Sequence, residues 1–188
     1  MALTADSRQV SVFSTNLLAS VWIVAVISIP SASSYQDQLS SGTPAEKITT
    51  LHDSLSIIIV MSSIASWVLT SAWLMRRHRE ISQHATSPLR LKASWARWGW
   101  VVPVVQLWFP KMMIDDLLKN TSQEHEPIST NIWWYTWLGF SFLSNYAQVR
   151  DIIEHKSIGI HPEYEIAAAC VLTASYLVWT KIVRAIGS

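Results

Sequence analysis

Charge is what this sequence has least of. Only 14% of its 188 residues are Asp, Glu, Lys or Arg, against about 25% in an ordinary soluble domain. Half are apolar, and long uncharged runs alternate with short polar stretches, the pattern that the hydrophobic thickness of a bilayer imposes. Cysteine is nearly missing too: Cys170 has no partner, so neither a disulfide framework nor a multi-cysteine metal site is available. There is no GxSxG, no HExxH and no phosphate-binding glycine loop, which removes the chemistries those motifs serve. The chain is therefore expected to be non-catalytic and to carry no cofactor. With a net charge of +1 and its bases confined to particular segments, it has no general surface for nucleic acid.

What the sequence does have is eleven tryptophans and four runs fit to cross a bilayer. Val10–Ile29 is uncharged and extends about 30 Å as a helix. Arg8 before it and Pro30-Ser31-Ala32-Ser33 after it also fit a signal peptide. Ser31–Ser54 is expected to be a polar loop. Leu55–Met75 follows without a charge, and Ser62, Ser66 and Thr70 recur four apart, a small-residue stripe on which another helix can pack closely. Asn131–Val149 opens on Trp133, Trp134, Tyr135 and Trp137, rings that favour the membrane–water boundary. The fourth run covers 166–186, with Lys181 and Arg184 in its last turns and close-packing pairs at Ala169 with Thr173 and Cys170 with Ala174.

Between the second and third runs lies the segment that decides topology. Arg76, Arg77, Arg79 and Arg97 lie in a basic stretch, 76–97, together with Arg90 and Lys92, which the positive-inside tendency places in the cytoplasm. His78 and His84 are expected to be solvated there. The stretch 95–119 is apolar but short and carries Pro103 and Pro110; each removes a backbone donor, so the segment is expected to be re-entrant or interfacial. After Pro110, apolar residues gather on one face and Lys111, Asp115, Asp116 and Lys119 on the other, as in a helix lying along the headgroup boundary. With four spans, eleven of the fourteen Lys and Arg fall inside and both termini are cytoplasmic; with five spans the asymmetry shrinks. The expected fold is thus a single all-α integral membrane domain, 1–188, with spans at about 10–29, 55–75, 131–149 and 166–186 plus a proline-broken segment, five spans being the alternative.

Trp73-Leu74-Met75-Arg76, Gly99-Trp100-Val101-Val102-Pro103, Gln106-Leu107-Trp108-Phe109-Pro110 and Trp133-Trp134 together resemble domain-of-unknown-function family 4328, bacterial and largely actinobacterial membrane proteins. The ordered match covers roughly Trp73–Phe140. Members often have Asn where Gln106 stands and a basic residue where Phe109 stands. The resemblance implies a multi-span fold in a bacterial plasma membrane and adds no activity.

Three function classes remain to be weighed. The enzymatic candidates are Glu124-His125-Glu126, the set His155, His161, Glu163 and Glu165, and the pair Asp115-Asp116; hydration, capping or a charged helix face accounts for each. A small transporter or channel needs polar groups at membrane depth, and only Gln106 lies between the two prolines; its expected role is to satisfy a freed backbone group. A non-catalytic accessory or assembly subunit of a larger membrane complex, or a homo-oligomer, fits the small-residue stripes and the tryptophan-rich centre. That reading ranks first. A bound lipid or quinone, its head beside Arg97 and its tail near Trp98, Trp100 and Trp108, is a variant. The residues expected to matter are Trp100, Pro103, Gln106, Trp108, Pro110, Trp133 and Trp134.

Overall fold

Four long helices and one short amphipathic helix carry the chain, and no strand occurs among the described residues. The computed structural model describes residues 2–44, 47–121, 128–153 and 162–187. Helix α1 is Ala2–Ser40, α2 is Leu51–Ser82, α3 is the single turn Trp95–Trp98, α4 is Phe109–Lys119, α5 is Thr130–Ile153 and α6 is Pro162–Gly187. Two of these, over Ser14–Ser40 and Glu163–Gly187, are long and apolar enough to cross a membrane.

Helix α1 does not stop where the uncharged run stops. It continues through Pro30 to Ser40, so most of the expected loop at 31–54 is helical and the turn shrinks to 41–50. Glutamine is a good helix former, and serine is tolerated in a helix with its hydroxyl bonded to the carbonyl one turn back. Ser31 and Ser33 donate to the carbonyls of Ile27 and Ile29, and Gln38 donates to Ser34. The stop comes at Gly42, whose φ of +87° suits a residue without a Cβ. Thr43 N–H donates to Gln38 and Gly42 N–H to Leu39, the paired bonds of a Schellman cap, with Pro44 following.

The long helices alternate in direction. Ser14 of α1 meets Ser66 and Thr70 of α2. Trp22 donates to Thr173 of α6 at 2.7 Å and stacks on Tyr176. Along α5 and α6, Trp133 stacks on Trp179 while Tyr146 meets Tyr164, so these two are antiparallel. The Arg77 guanidinium donates to the Ile186 carbonyl and pairs with Glu80 at 2.9 Å, which brings the ends of α2 and α6 together. Both ends of 95–119 therefore lie at one end of the bundle: it leaves α2 there and α5 begins there.

That end holds the core. Trp73, Leu74, Met113, Ile114, Leu117, Trp133, Trp134, Trp179, Ile182 and Ile186 form a buried cluster. Trp133 and Trp134 are each 3% exposed, so they are core residues; the boundary-anchor expectation is corrected, because α4 folds over the bundle end and covers them. The apolar face of α4 is likewise turned inward. Burying Met113, Ile114 and Leu117 contributes roughly 1.5–3 kcal/mol each relative to leaving them exposed.

Candidate functional site

Pro103 and Pro110 act differently in the central segment. Pro110 lies in the first turn of α4, where a missing N–H has no helical acceptor to lose. Pro103 precedes a tight reversal: Val105 N–H donates to the Pro103 carbonyl at 2.8 Å around Val104, which has φ +68° and ψ −54°. That is the rare γ-turn of positive φ, held here by a β-branched residue that ordinarily avoids it. Past it come one 3₁₀ turn, Val105–Leu107, and then α4.

The irregular backbone is satisfied by a residue whose role the sequence did not reveal. Trp134 Nε1 donates to the Leu107 carbonyl at 3.0 Å, the task expected of Gln106. The Gln106 side chain forms no hydrogen bond among the described residues and is exposed. Trp95 meets Phe109 edge-to-face at 4.7 Å, fastening α3 to the start of α4. Trp100 meets Trp133 in the same manner at 6.4 Å. Trp98 and Trp108 are exposed, Pro103 is exposed and Pro110 is buried.

Polar clamps fix the basic stretch to α4. Asp116, 5% exposed, accepts from Arg90 N–H at 2.9 Å and Nε at 2.7 Å. Arg90 also donates to the Met112 carbonyl, and one turn on Asn120 Oδ1 accepts from Ser87 N–H. Asp115 accepts from Lys111 at 2.7 Å and from Thr130, the first residue of α5, at 2.5 Å. The acidic pair is therefore a double clamp, which corrects its reading as a solvated face. His78 is corrected too: it is buried, its Nε2 bonded to the Leu91 carbonyl at 2.8 Å. A carbonyl only accepts, so Nε2 carries the proton. The other topology-setting bases, Arg76, Arg79 and Arg97, are exposed.

Above this end the helices part. A groove of about 810 Å³ runs along the α5 stripe Trp134, Leu138, Ser141, Asn145 and Val149, faces Trp67 of α2 and is roofed by Trp100, Val101, Gln106 and Leu107. From Trp134 to Val149 the stripe extends about 22 Å. Phe142, Tyr146 and Val149 are 66%, 43% and 51% exposed, so the groove opens sideways. A second, inner pocket, about 260 Å³ and also partly open to the outside, draws lining residues from all four long helices. Trp67, Trp100 and Trp137 border both spaces.

Of the expected site residues, Trp100, Gln106 and Trp134 line the groove and Trp133 the inner pocket, whereas Pro103, Trp108 and Pro110 border neither. Ser66 and Thr70 line the inner pocket, and Ser66 donates to the Ser14 carbonyl at 3.2 Å; Ser62 is half-buried. Arg97 lines neither space. The sequence marks Trp137 only as one of the boundary rings and does not single out Trp67, whose one signal is an aromatic ring at helical spacing from Thr70. Among the described residues no group of three or more His, Cys, Asp or Glu is placed to hold a metal ion. Glu124-His125-Glu126, His155 and His161 lie outside the described residues.

No curated protein and no solved structure matches the chain. The model of one family, described as a domain of unknown function, matches residues 36–186. That match takes in the end of α1, all of α2 to α5 and nearly all of α6, and with them every lining residue of the groove and all of the second pocket's but Leu18 and Val21: by this measure the chain belongs to the domain-of-unknown-function family DUF4328.

Proposed function

We propose that this chain is a non-catalytic, four-span protein of the bacterial plasma membrane, both termini cytoplasmic, which holds one elongated apolar ligand, a lipid or isoprenoid chain, in the groove along α5. The topology is supported by charge. Arg76, Arg77, Arg79, Arg90, Lys92 and Arg97 cluster at the end where α2 finishes and α5 starts, and a cytoplasmic setting suits that cluster. The uncharged runs 55–75 and 131–149 lie within α2 and α5, flanked by the two helices already apolar enough to cross.

The observation that carries the ligand reading is the groove itself. It runs along α5, hence along the membrane normal in this topology, and no Asp, Glu, Lys, Arg or His among the described residues borders it. Its volume is within the range of small-molecule sites. Since a cavity of roughly 150 Å³ accommodates a six-carbon ring, 810 Å³ accommodates on the order of thirty carbons if filled. An open side lets a chain enter from the bilayer without crossing a polar surface. The accessory-subunit alternative would draw on exposed apolar faces such as Ile57, Met61 and Ile64 of α2, and lipid contact alone calls for those.

Gentle purification from native membranes followed by native mass spectrometry tests the proposal. One apolar ligand per chain is expected to survive. Ser141→Trp, which fills the groove from its wall, is expected to abolish retention without lowering the thermal transition by more than a few degrees. Ligand-free wild type, or an empty groove in a stoichiometric complex with another protein, would overturn it and restore the accessory-subunit reading.

A further inference from the structure

The amphipathic pattern of α4 suggests a helix lying in the headgroup boundary, yet its apolar face packs inward. Contact with lipid at this end of the bundle falls instead to the loop before it. Gly99, just past α3, and Phe109, the first residue of α4, come almost to one point: a Cβ on Gly99 would be 3.3 Å from Phe109 Cβ, and Trp95 meets the Phe109 ring edge-on at 4.7 Å. Between them the chain makes a closed excursion whose tightest reversal is at Val104.

No charged residue occurs from Trp98 to Pro110. Trp98, Val101, Val104, Leu107 and Trp108 are each 42–62% exposed, although the loop lies outside the four expected spans. Large apolar side chains held outward by a connection mark a contact surface. The backbone suits the same surroundings. Val101 and Val102 N–H both donate to the Trp98 carbonyl, Gln106 N–H to Val102, Leu107 N–H to Val104 and Trp108 N–H to Val105, and the Leu107 carbonyl accepts from Trp134. A loop that satisfies its own polar groups loses little on leaving water. Valine at a positive φ fits this picture: glycine would relieve the turn but present nothing to lipid.

Beside the loop the unpaired charge is of one sign. Each acid of 76–119 has a base, Glu80 with Arg77, Asp115 with Lys111 and Asp116 with Arg90. Arg97, immediately before Trp98, and Lys92, in the turn that leads into α3, are exposed and have no carboxylate partner among the described residues. With Glu124 and Glu126 counted, the stretch 76–130 still holds eight Lys and Arg against five acids. Such a surplus at a membrane surface attracts anionic lipid. Arg97 borders neither cavity, so a headgroup beside it is separate from the ligand of the groove. Indole rings favour the boundary, and irregular backbone facing lipid is not tolerated at full depth. We infer that the loop 98–108 is a wedge seated in the headgroup–acyl boundary of the cytoplasmic leaflet, with Arg97 and Lys92 holding the phosphates of anionic phospholipids at its neck. The choice of leaflet rests on the four-span reading proposed above.

The test uses the full chain in nanodiscs, with Cys170 replaced by Ala and a fluorophore on the single cysteine of Val104→Cys. Three quenchers gauge its depth: iodide in water, phosphatidylcholine spin-labelled near the glycerol end of its acyl chain, and the same lipid labelled near the methyl end. The shallow lipid label is expected to quench at least about twofold more than either of the others, as a boundary position requires. Strongest quenching by iodide overturns the wedge and leaves the spans and the groove standing; strongest quenching by the deep label overturns the boundary placement and the four-span topology together. If the Val104 variant does not fold, Trp108→Cys, also exposed and bordering neither cavity, carries the same expectation. The headgroup contact is read separately, by native mass spectrometry from nanodiscs of equal phosphatidylcholine and phosphatidylglycerol. Phosphatidylglycerol is expected to be retained in preference, Arg97→Gln to lower that preference about fivefold, the worth of one base near an anionic surface, and Arg97→Lys to keep most of it. A preference unchanged in Arg97→Gln, or absent from the wild type, overturns the headgroup role.

Discussion

The basic end of the bundle and the space above it are built from the same helices in opposite ways. At the basic end Trp73, Trp133, Trp134 and Trp179 are buried at 2–4% exposure, α4 seals them, and charged pairs fasten the covering segment. A few turns away Trp67, Trp100 and Trp137 border empty volume. Tryptophan is chiefly filler in one region and wall in the other, with Trp133, Trp134 and Trp179 at the seam, buried yet each lining one of the two spaces. The difference lies in what the third party is: where α4 and its clamps exist, rings pack against protein; where they end, the helices part and leave rings facing space. A rigid end beneath an open groove is what a binding site on a helical scaffold needs, since the walls are then positioned without the ligand.

The sharpest way to break this comparison is to ask whether the sealed end is on one side of the membrane. With Cys170 replaced by Ala, single cysteines at Gln83 and Lys119 are expected to label from the same side, and one at Ser40 from the opposite side. All three positions are exposed. Labelling of Lys119 from the side of Ser40 would make 95–119 a fifth crossing, and the sealed end would cease to exist.

Next in size is the clamp. Asp116→Ala leaves Arg90 without its carboxylate and the 86–91 stretch without its main attachment to α4. A loss of about 3 kcal/mol is expected, discounted from the top of the buried-pair range because Arg90 is half exposed. Glu80→Gln removes an i,i+3 pair whose carboxylate partner is more than a third exposed, should cost under about 1 kcal/mol, and leaves Arg77 on the Ile186 carbonyl. Thermal unfolding in detergent separates the two. Equal small losses would mean that apolar packing alone seals the end.

Gly99 joins the two regions, since it precedes the roof residue Trp100. A Cβ placed there would be 2.7 Å from the Trp95 carbonyl oxygen and 3.3 Å from Phe109 Cβ, and the oxygen is backbone. Gly99→Val is expected to cost about 1–3 kcal/mol and to reduce ligand retention by more than that loss of stability explains, because the roof shifts. Retention that simply follows stability would detach the roof from the site.

How much of this is legible in the sequence follows from which interactions are local. Uncharged runs locate the apolar lengths of α2, α5 and α6 because helix interior and absence of charge coincide there. They miss the last turns of α1, where serine and glutamine are polar yet helical, although Gly42 followed by Pro44 is a stop signal in plain view. A ring near a helix end suits water-facing and covered settings alike, so the sequence leaves Trp133 and Trp134 looking like boundary rings; only the fold of α4 decides. Asp116 finds Arg90 across twenty-six positions, and no spacing rule reaches that far. The groove is a gap between helices, which no single helix's sequence records.

The smallest expected effect concerns Val104. A positive-φ γ-turn held by valine stores about 1–3 kcal/mol of strain, and the side chain is exposed, so packing is not what holds it there. The turn sits between Pro103 and the roof residues Gln106 and Leu107. Val104→Gly removes the Cβ clash but also widens the freedom of the unfolded chain, which offsets part of the gain. A net stabilisation of about 0.5–1 kcal/mol is therefore expected, read as a small rise in the thermal transition. If the turn merely connects, ligand retention stays at the wild-type level. If its stiffness holds the roof over the groove, the glycine variant becomes more stable and retains less, and the two readouts move in opposite directions.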